Sequence, residues 1–422
     1  MDWDRFLADV ELPRMYRVRQ NFPSRAAVDV RAEIDAGFAN PAIACCVRPE
    51  MRVAIAVGSR GVANLATAVR GVVDNLRAAG AVPFIVPAMG SHGAATAAGQ
   101  TAVLAGLGVD EARMGAPVVS SLDTVDIGPS PSGWPVHCDA VAAHADALIA
   151  INRIKPHTGF QGRCESGLCK LLSIGLGNET GSGAAHAFGM DAFADLIPDV
   201  GSYVARKLHL IVGVGLVENH LHQTVRVAFV QPEELVEREA HLLREARALM
   251  GRILLPKLHV LVVREIGKDV SGEGMDPNVT GRYVTSRAVP QISIQKIVVL
   301  DLSPGTGRNA NGIGLADITT RRLAELTDYA PMYVNALTAR YCEHVKMPLT
   351  METDRDAIKA AVKSLWGLAR PEDIKLAVVK NTLELNEILI SSALLPEAAS
   401  QPRMCVTEGP FELHFDAEGR LE

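Results

Sequence analysis

A buried strand followed by a glycine-rich polar loop occurs three times in the first half of this 422-residue chain, and no other feature restricts the fold as strongly. Apolar runs at residues 51–57, 82–87 and 147–151 lead into GSRG, MGSHG and IKPHTGF. Helix-like stretches follow the first two loops, at residues 64–79 and 94–107. Such alternation predicts a mainly parallel sheet. Ligands bind beyond the carboxyl ends of parallel strands, so the three loops should share one rim.

The alternation resumes in the C-terminal part of the chain, with apolar runs at residues 258–263, 296–302 and 375–380. A proline-containing stretch at residues 254–257 separates the two series. We therefore predict an α/β fold of two Rossmann-like domains, residues 1–254 and 255–422, with mainly parallel sheets and an interdomain cleft. Further predicted elements are a strand at 208–217, helices at 233–250, 354–368 (with Thr353 as N-cap) and 382–390, and a terminal hairpin at 411–421.

Composition excludes several classes of protein. The net charge is −6, and basic runs with interleaved aromatic residues do not occur, which argues against nucleic-acid binding. The opening residues lack the basic-then-apolar order of a signal peptide, and no apolar run reaches the roughly 18 residues that span a bilayer. Seven cysteines without a C-x-x-C pair indicate reduced thiols rather than a disulfide framework. We expect a cytoplasmic protein with no nucleic-acid or membrane partner.

Residues 151–186 gather most of the side chains that could perform chemistry. This stretch contains seven glycines, two histidines, two cysteines and two lysines. Glycine accepts positive φ and lets backbone N–H groups approach phosphate or another anion closely. We interpret the stretch as a ligand-binding or catalytic site rather than a plain irregular loop.

His92 and His157 are the candidates for proton transfer. His92 lies in GSHG after the second strand, and His157 follows Pro156 after the third, where proline restricts the backbone. A single loop histidine is more often a helix cap or a surface residue. Two histidines on one predicted rim could instead stand on opposite faces of a substrate, with side chains that titrate near neutrality.

Lys170, His186 and the two cysteines of the stretch each allow two interpretations. Lys170 lies among leucines, so its amine is either a snorkelling surface group or a desolvated nucleophile. His186 follows GNETGSG at a position that could start a helix. It is either a surface helix residue or a ligand for a borderline metal such as nickel or zinc. Cys164 and Cys169 could be thiolate ligands, but the preferred reading is that both are small buried side chains.

Two cations outside this stretch could meet an anionic ligand. Arg60 in GSRG offers the planar fork that matches a carboxylate, and Lys268 lies in a polar loop of the second predicted domain. For either residue alone, a solvated surface charge is the preferred reading. The GxGxxG fingerprint after the first strand, the GxSxG elbow and the Walker A loop are all missing.

Taken together, GSRG, GSHG, IKPHTGF, ESGLCKLLSIGLGN and His186 resemble the nickel-dependent lactate racemase family. The resemblance implies a nickel pincer nucleotide, made by dedicated biosynthesis enzymes, in the cleft between two α/β domains. It leaves open whether the chain forms a homo-oligomer. By resemblance, the catalytic residues are His92 and His157, the cofactor-binding residues are Lys170 as covalent tether, His186 as nickel ligand, Ser91 and Gly93, and the substrate-binding residues are Arg60 and Lys268.

The family's reaction is the racemisation of a 2-hydroxy acid. By the same resemblance, one histidine removes the hydroxyl proton of the substrate while a hydride leaves C2. The proton and the hydride then return on the other face of the planar 2-oxo acid. This chain departs from lactate racemase proper in three places: Cys164-Glu165-Ser166 lengthens the segment before Lys170, Val57 replaces an acidic residue, and Glu265 replaces a neutral amide. These departures predict a substrate other than lactate and put the covalent tether in doubt.

Two functions of other classes stay open at this point. One is a lyase or hydrolase that uses the histidines around zinc. The other is a non-enzymatic module that binds a phosphorylated small molecule through the glycine-rich loops.

Overall fold

The computed structural model describes residues 3–59, 61–367 and 370–422. The chain divides into two compact units, Pro23–Met250 and a second unit made of Met1–Phe22 together with Gly251–Glu422. The domain boundary thus follows residue 250 rather than 254, and the first 22 residues belong with the C-terminal part of the chain. Within the described ranges, no helix is both long and apolar enough to cross a membrane.

Strands and helices alternate through most of the described residues. The strands are β1 Met15–Gln20, β2 Arg52–Val57, β3 Val82–Pro87, β4 Thr124–Asp126, β5 His137–Asp139, β6 Ala147–Arg153, β7 Leu210–Glu218, β8 Thr224–Val230, β9 Lys257–Ile266, β10 Ser293–Leu302, β11 Ile318–Thr320, β12 Leu349–Met351, β13 Leu376–Val379, β14 Glu387–Ser391 and β15 Met404–Phe411. The α-helices are α1 Trp3–Phe6, α2 Val30–Phe38, α3 Pro41–Ala44, α4 Leu65–Ala78, α5 Ala97–Gly106, α6 Glu111–Met114, α7 Ala140–Ala143, α8 Leu168–Lys170, α9 Asn178–His186, α10 Phe193–Lys207, α11 Leu235–Leu249, α12 Pro277–Thr280, α13 Arg321–Leu326, α14 Tyr329–Ala339, α15 Asp354–Lys363 and α16 Leu395–Ser400.

Short turns of other helix types complete the secondary structure. A π-helical turn, Leu171–Gly175, continues directly from α8. The 3₁₀ turns are Met190–Ala192, Pro232–Glu234, Pro304–Thr306, Ile313–Leu315, Cys342–Val345, Pro371–Asp373 and Ser392–Leu394.

The Pro23–Met250 unit is built on a five-stranded sheet in the order β3-β2-β6-β7-β8. The first four strands are parallel, and β8 runs antiparallel to β7. The central strands are continuously apolar and buried, which is typical of a parallel sheet covered on both faces. Helix α4 packs Val69, Val72 and Leu76 into this core at helical spacing. Each of these side chains contributes roughly 1.5–3 kcal/mol through burial.

The other unit is built on an eight-stranded sheet in the order β12-β11-β10-β9-β13-β14-β1-β15. Strands β12 through β13 are parallel, and β14, β1 and β15 are antiparallel. Strand β1 brings the N-terminal residues into this unit, since Val18 pairs with both Ile388 and Val406. Buried Gln20 adds side-chain hydrogen bonds to the backbone of Leu385 and Leu254, at 2.7 Å and 2.8 Å. The predicted α/β class with mainly parallel sheets is confirmed.

The helix predicted at residues 382–390 is wrong. Residues Glu387–Ser391 form strand β14, whose Ile388 and Ile390 are buried. Before it, the Asn381 side chain accepts hydrogen bonds from the N–H groups of Leu383 and Glu384, which stabilises a turn there. The β-branched residues at alternate positions fit the pleated, half-buried surface between β1 and β13 better than a helix.

Two other local predictions agree with the structure. Thr353 caps α15, since its side chain accepts a hydrogen bond from the N–H of Asp356. The C-terminal tail closes on itself through an antiparallel bridge between Phe415 and Leu421.

Candidate functional site

The three glycine-rich loops follow the carboxyl ends of β3, β2 and β6, which are neighbours in one parallel sheet. They therefore share one rim, as the sequence predicted. The first two loops are joined by a hydrogen bond between Ser59 Oγ and His92 Nδ1. The first loop also packs against β6, because a Cβ on Gly58 would lie 3.1 Å from the Oδ1 atom of Asn152 in that strand. Arg60, the predicted carboxylate ligand of this loop, lies outside the described residues.

The second loop rests on the helical segment that follows Lys170. The N–H of Gly90 donates to the carbonyl oxygen of Gly175, at 2.9 Å. Gly90 and Gly93 have φ values of +60° and +70°, which favour glycine. A Cβ on Gly93 would lie 2.5 Å from the backbone nitrogen of Gln100. The close contacts of Gly90 and Gly93 thus fix the loop backbone. Ser91 is half-buried, and the exposed His92 imidazole stays accessible.

The third loop closes on itself before the chain reaches Lys170. Lys155 and Ser166 exchange two backbone hydrogen bonds, at 2.8 Å and 3.2 Å, and so join the ends of the loop. Inside it, the fully buried carboxylate of Glu165 accepts from the N–H groups of His157 and Gly162, at 2.8 Å and 3.0 Å. Burial raises the pKa of Glu165, although an ion pair with Arg247 at 2.7 Å and these N–H groups act against the rise.

His157 and Lys170 form the closest pair of candidate residues. His157 Nε2 lies 2.6 Å from Lys170 Nζ, and His157 Nδ1 accepts from the N–H of Gly159 at 2.9 Å. The Lys170 side chain is therefore half-buried against an imidazole rather than extended into solvent, which argues against the snorkelling interpretation. An amine in this position can act as a nucleophile once it is deprotonated.

Two phenylalanine rings, Phe160 and Phe193, connect His157 to His186. The centroids of His157 and Phe160 are 4.4 Å apart, those of Phe160 and Phe193 are 5.5 Å apart, and those of Phe193 and His186 are 5.0 Å apart. His186 is the last residue of α9 rather than the first residue of a helix. The two histidines, together with Lys170, therefore belong to one neighbourhood of the Pro23–Met250 unit.

A second group of polar side chains lies behind Lys170. The ligand atoms of Cys164, Cys169 and Glu239 are all within 4.8 Å of one another, and all three residues are buried. Among the described residues, this is the group of three histidine, cysteine or acidic side chains that could hold a metal ion, and it includes no histidine. Burial raises the pKa of Glu239 to about 7. The contact with Cys164, and then burial, raise the pKa of Cys169 well above its ordinary value.

Sequence reasoning missed Glu239 because it treated residues 233–250 only as a charged helix. The signal was nevertheless present in the spacing. Glu239 lies on the buried face of α11, with Leu235, Leu242, Leu243 and Ala246. A carboxylate on an apolar stripe needs a buried partner, and the sequence offered Cys164 and Cys169.

Lys268 belongs to the other compact unit. Its N–H donates to Thr306 Oγ1 at 3.0 Å, and its Nζ donates to the carbonyl oxygen of Gly272 at 2.8 Å. In the same loop, burial alone would raise the pKa of Glu273, but His344 at 2.8 Å and the charge of Lys268 bring it below its ordinary value. Glu265, at the end of β9, accepts a hydrogen bond from Asn381 at 2.9 Å.

Comparison with known proteins agrees with the motifs. Residues 7–180 match the family model of the lactate racemase N-terminal domain. No protein with a curated description matches the sequence. The fold is similar to the structure of the lactate racemase apoprotein from Thermoanaerobacterium thermosaccharolyticum, with a TM-score of 0.53 and 14% sequence identity over 87% of this chain and 94% of that chain. Residues 7–180 are therefore homologous to the lactate racemase N-terminal domain, which confirms the resemblance drawn from the motifs.

Proposed function

We propose that the protein is an isomerase that racemises or epimerises a small 2-hydroxy acid with a nickel pincer nucleotide. One observation supports this above all: the His157 imidazole and the Lys170 amine are 2.6 Å apart, on the same rim as His92. A proton carrier beside a nucleophilic amine is what a site needs if it anchors a cofactor and also moves substrate protons.

The residues of this rim fit such a cofactor. Imidazole nitrogen is a ligand that nickel accepts readily, and His186 supplies one in the same ring cluster as His157. Lys170 would anchor the nucleotide through its amine. Gly90 and Gly93, with positive φ, and the Ser91 hydroxyl would bind its phosphate through a closely approaching backbone. When bound, the pincer nucleotide supplies an acceptor and donor of hydride.

The side chains of the chain itself would handle protons and orientation. His92 and His157 would each hold or deliver the hydroxyl proton of the substrate, one on each face. The Gly159 N–H and the Lys170 amine hold the His157 ring in one orientation. The Ser59 hydroxyl similarly engages Nδ1 of His92, which leaves Nε2 for the substrate. Arg60 and Lys268 would bind the substrate carboxylate and oxygen.

We propose further that the protein works in the cytoplasm and receives its cofactor from the biosynthesis enzymes. The substrate is proposed to differ from lactate, because Glu265 adds a negative charge where lactate racemase proper has an amide. A negative charge near the substrate would disfavour a second carboxylate on it, unless Glu265 is paired with Lys268.

The test begins with protein that is co-expressed with the pincer biosynthesis enzymes and supplied with nickel. The loaded protein should interconvert the enantiomers of at least one member of a panel of 2-hydroxy acids. His92→Ala and His157→Ala should each lose this activity, while His144→Ala, which changes an exposed histidine of the same unit, should keep it. Full activity in both of the first two variants would refute the proposed roles.

Mass spectrometry tests the anchoring residue separately. We expect a mass gain that survives denaturation and that Lys170→Ala abolishes. Lys155→Ala, in the same loop, should retain the gain. A gain that appears only under native conditions would mean that the cofactor binds without the tether. Absence of any gain and of nickel in the purified protein would contradict the cofactor assignment.

A further inference from the structure

The cluster of Cys164, Cys169 and Glu239 is not used by the proposed reaction. Cys164 lies in the third loop, Cys169 in α8 and Glu239 in α11, so three separate segments contribute one donor each. All three side chains are fully buried, and their donor atoms lie within 4.8 Å of one another. In a tetrahedral zinc site with bonds of about 2.0–2.3 Å, the donor atoms lie about 3.3–3.8 Å from one another, so these three donors would have to approach one another by at most ~1.5 Å.

The two carboxylate oxygens of Glu239 have different surroundings. Oε2 accepts from the N–H of Cys169 at 2.7 Å, and so caps the start of α8, where Gly167 provides no side chain. Oε1 is buried without a hydrogen-bond partner at standard geometry, and the carboxylate also faces the N–H of Leu168 and the thiols of Cys164 and Cys169. Capping therefore accounts for one oxygen only, and the carboxylate and the two thiols meet in one buried spot where a cation could replace the thiol protons.

The backbone packs closely around the Glu239 carboxylate. A Cβ on Gly167 would lie 2.4 Å from Glu239 Oε1, so any other residue at position 167 would displace the oxygen. On the opposite side, α10 approaches through Gly201, whose Cβ would lie 2.9 Å from the Cα of Cys169. The second thiol, Cys164, is held against the carbonyl oxygen of Val236 at 3.8 Å. Two glycines and two helices thus fix the positions of the three donors.

We propose that Cys164, Cys169 and Glu239 bind one thiophilic divalent cation of the zinc class. Sulfur ligands select against magnesium and calcium, which prefer oxygen, and favour zinc, cobalt or cadmium. Binding would release the two thiol protons to solvent and form two metal–sulfur bonds and one metal–oxygen bond. The Val236 carbonyl oxygen, beside the Cys164 sulfur, is the candidate for a fourth ligand.

Such an ion would act as a structural clamp next to the catalytic rim. It would tie α11 to the segment that runs from Cys164 to Cys169, one residue before Lys170. Glu165, which holds the N–H of His157, immediately follows Cys164. The site is independent of the proposed racemase reaction, because none of its three donors belongs to the His92, His157, Lys170 and His186 set.

The experiment is a cobalt titration of the full-length protein, after removal of bound metal by a chelator. The background variant replaces the four exposed cysteines (Cys45, Cys46, Cys342 and Cys405) by Ser and keeps the three buried ones. We expect one equivalent of Co²⁺ to produce the near-ultraviolet charge-transfer band of cobalt–thiolate bonds. The same ion should also raise the melting temperature of the protein.

Matched variants assign the band to this site. Cys164→Ser and Cys169→Ser, made singly, should each lose at least half of the band and the thermal shift. Cys138→Ser, which changes another fully buried cysteine of the same unit, should leave both unchanged. Glu239→Gln keeps an oxygen for capping α8 but removes the charge, and should weaken cobalt binding at least tenfold without loss of the fold. His186→Ala should not alter the band, which separates this site from the proposed nickel site.

Three results would overturn the proposal. One is the absence of the band in the background protein at saturating Co²⁺. Another is a band that persists in Cys164→Ser and Cys169→Ser alike. The third is a Cys164–Cys169 disulfide in freshly purified, unoxidised protein, found by peptide mapping, since it would leave no thiolate to bind metal.

Discussion

The ion pair between Glu165 and Arg247 should be a main determinant of the stability of the third loop. We consider the substitution Arg247→Met, which keeps most of the apolar stem of the side chain and removes its charge. It would leave the fully buried Glu165 carboxylate with two backbone donors but no counter-charge. Removing one partner of a buried ion pair costs about 3–5 kcal/mol. Because the Arg247 side chain is 32% exposed, solvent already screens part of the attraction. We therefore expect a loss of about 2–3 kcal/mol.

The assay uses urea unfolding followed by tryptophan fluorescence. The chain has three tryptophans, of which Trp134 alone lies in the Pro23–Met250 unit. In a Trp3→Phe, Trp366→Phe background, fluorescence therefore reports on this unit. With a denaturant slope of ~3 kcal/mol per M, the midpoint should fall by roughly 0.7–1 M. Hydrogen exchange at the amides of His157 and Gly162, both donors to Glu165, should become faster.

Two controls make this prediction refutable. Arg244→Met changes an exposed arginine one turn earlier on α11 and should shift the midpoint by less than about 0.2 M. The double variant Glu165→Gln, Arg247→Met removes both charges and should be clearly more stable than the sum of the single losses predicts. A loss below about 0.5 kcal/mol in Arg247→Met, or simple additivity in the double variant, would show that the pair does not hold the loop.

Three further predictions concern other parts of the fold. Gly175→Ala should cost about 1–3 kcal/mol, because its Cβ would lie 2.6 Å from a backbone carbonyl oxygen, whereas Gly106→Ala, with open space around it, should be nearly neutral; equal melting temperatures would refute this. Gln20→Ala should cost roughly 2–4 kcal/mol in urea unfolding of its unit, since it loses the 2.7 Å bond to Leu385 and two other backbone bonds; a loss below 1 kcal/mol would contradict it. Burial raises the pKa of Asp139 above 3.8, so the contribution of this side chain to stability is largest below pH 3.8 and is lost as the pH rises through the raised pKa. The difference in unfolding free energy between the wild type and Asp139→Asn should therefore shrink as the pH rises through that window. A difference that grows with pH would refute this prediction.

The sheet and its rim were predictable because each depends on local sequence. A continuous apolar run such as residues 147–151 identifies a buried parallel strand, and the loop after it must emerge at the carboxyl end. Neighbouring strands then bring His92 and His157 to one edge. This is why the fold class and the shared rim are confirmed.

What the sequence did not reveal depends on partners that lie far along the chain. Strand β1 pairs with residues more than 350 positions away, so nothing in residues 1–50 indicates which unit receives it. Strand β14 was mistaken for a helix because its apolar residues are compatible with both helical and strand periodicity. Only the neighbouring strands of the sheet decide between the two. Glu239 was missed for the same reason: its partners, Cys164 and Cys169, are about 70 residues earlier.

The segment between His157 and Lys170, which the family resemblance predicts to be lengthened, is held in place by contacts of its own residues. Each of its extra residues has a separate contact: Cys164 faces Glu239, Glu165 holds the N–H of His157, and Ser166 closes the loop onto Lys155. The loop thus closes on itself before Lys170, whose Nζ lies 2.6 Å from His157 Nε2. We therefore expect the proposed tether to depend on the reactivity of this amine and not on the length of the loop before it.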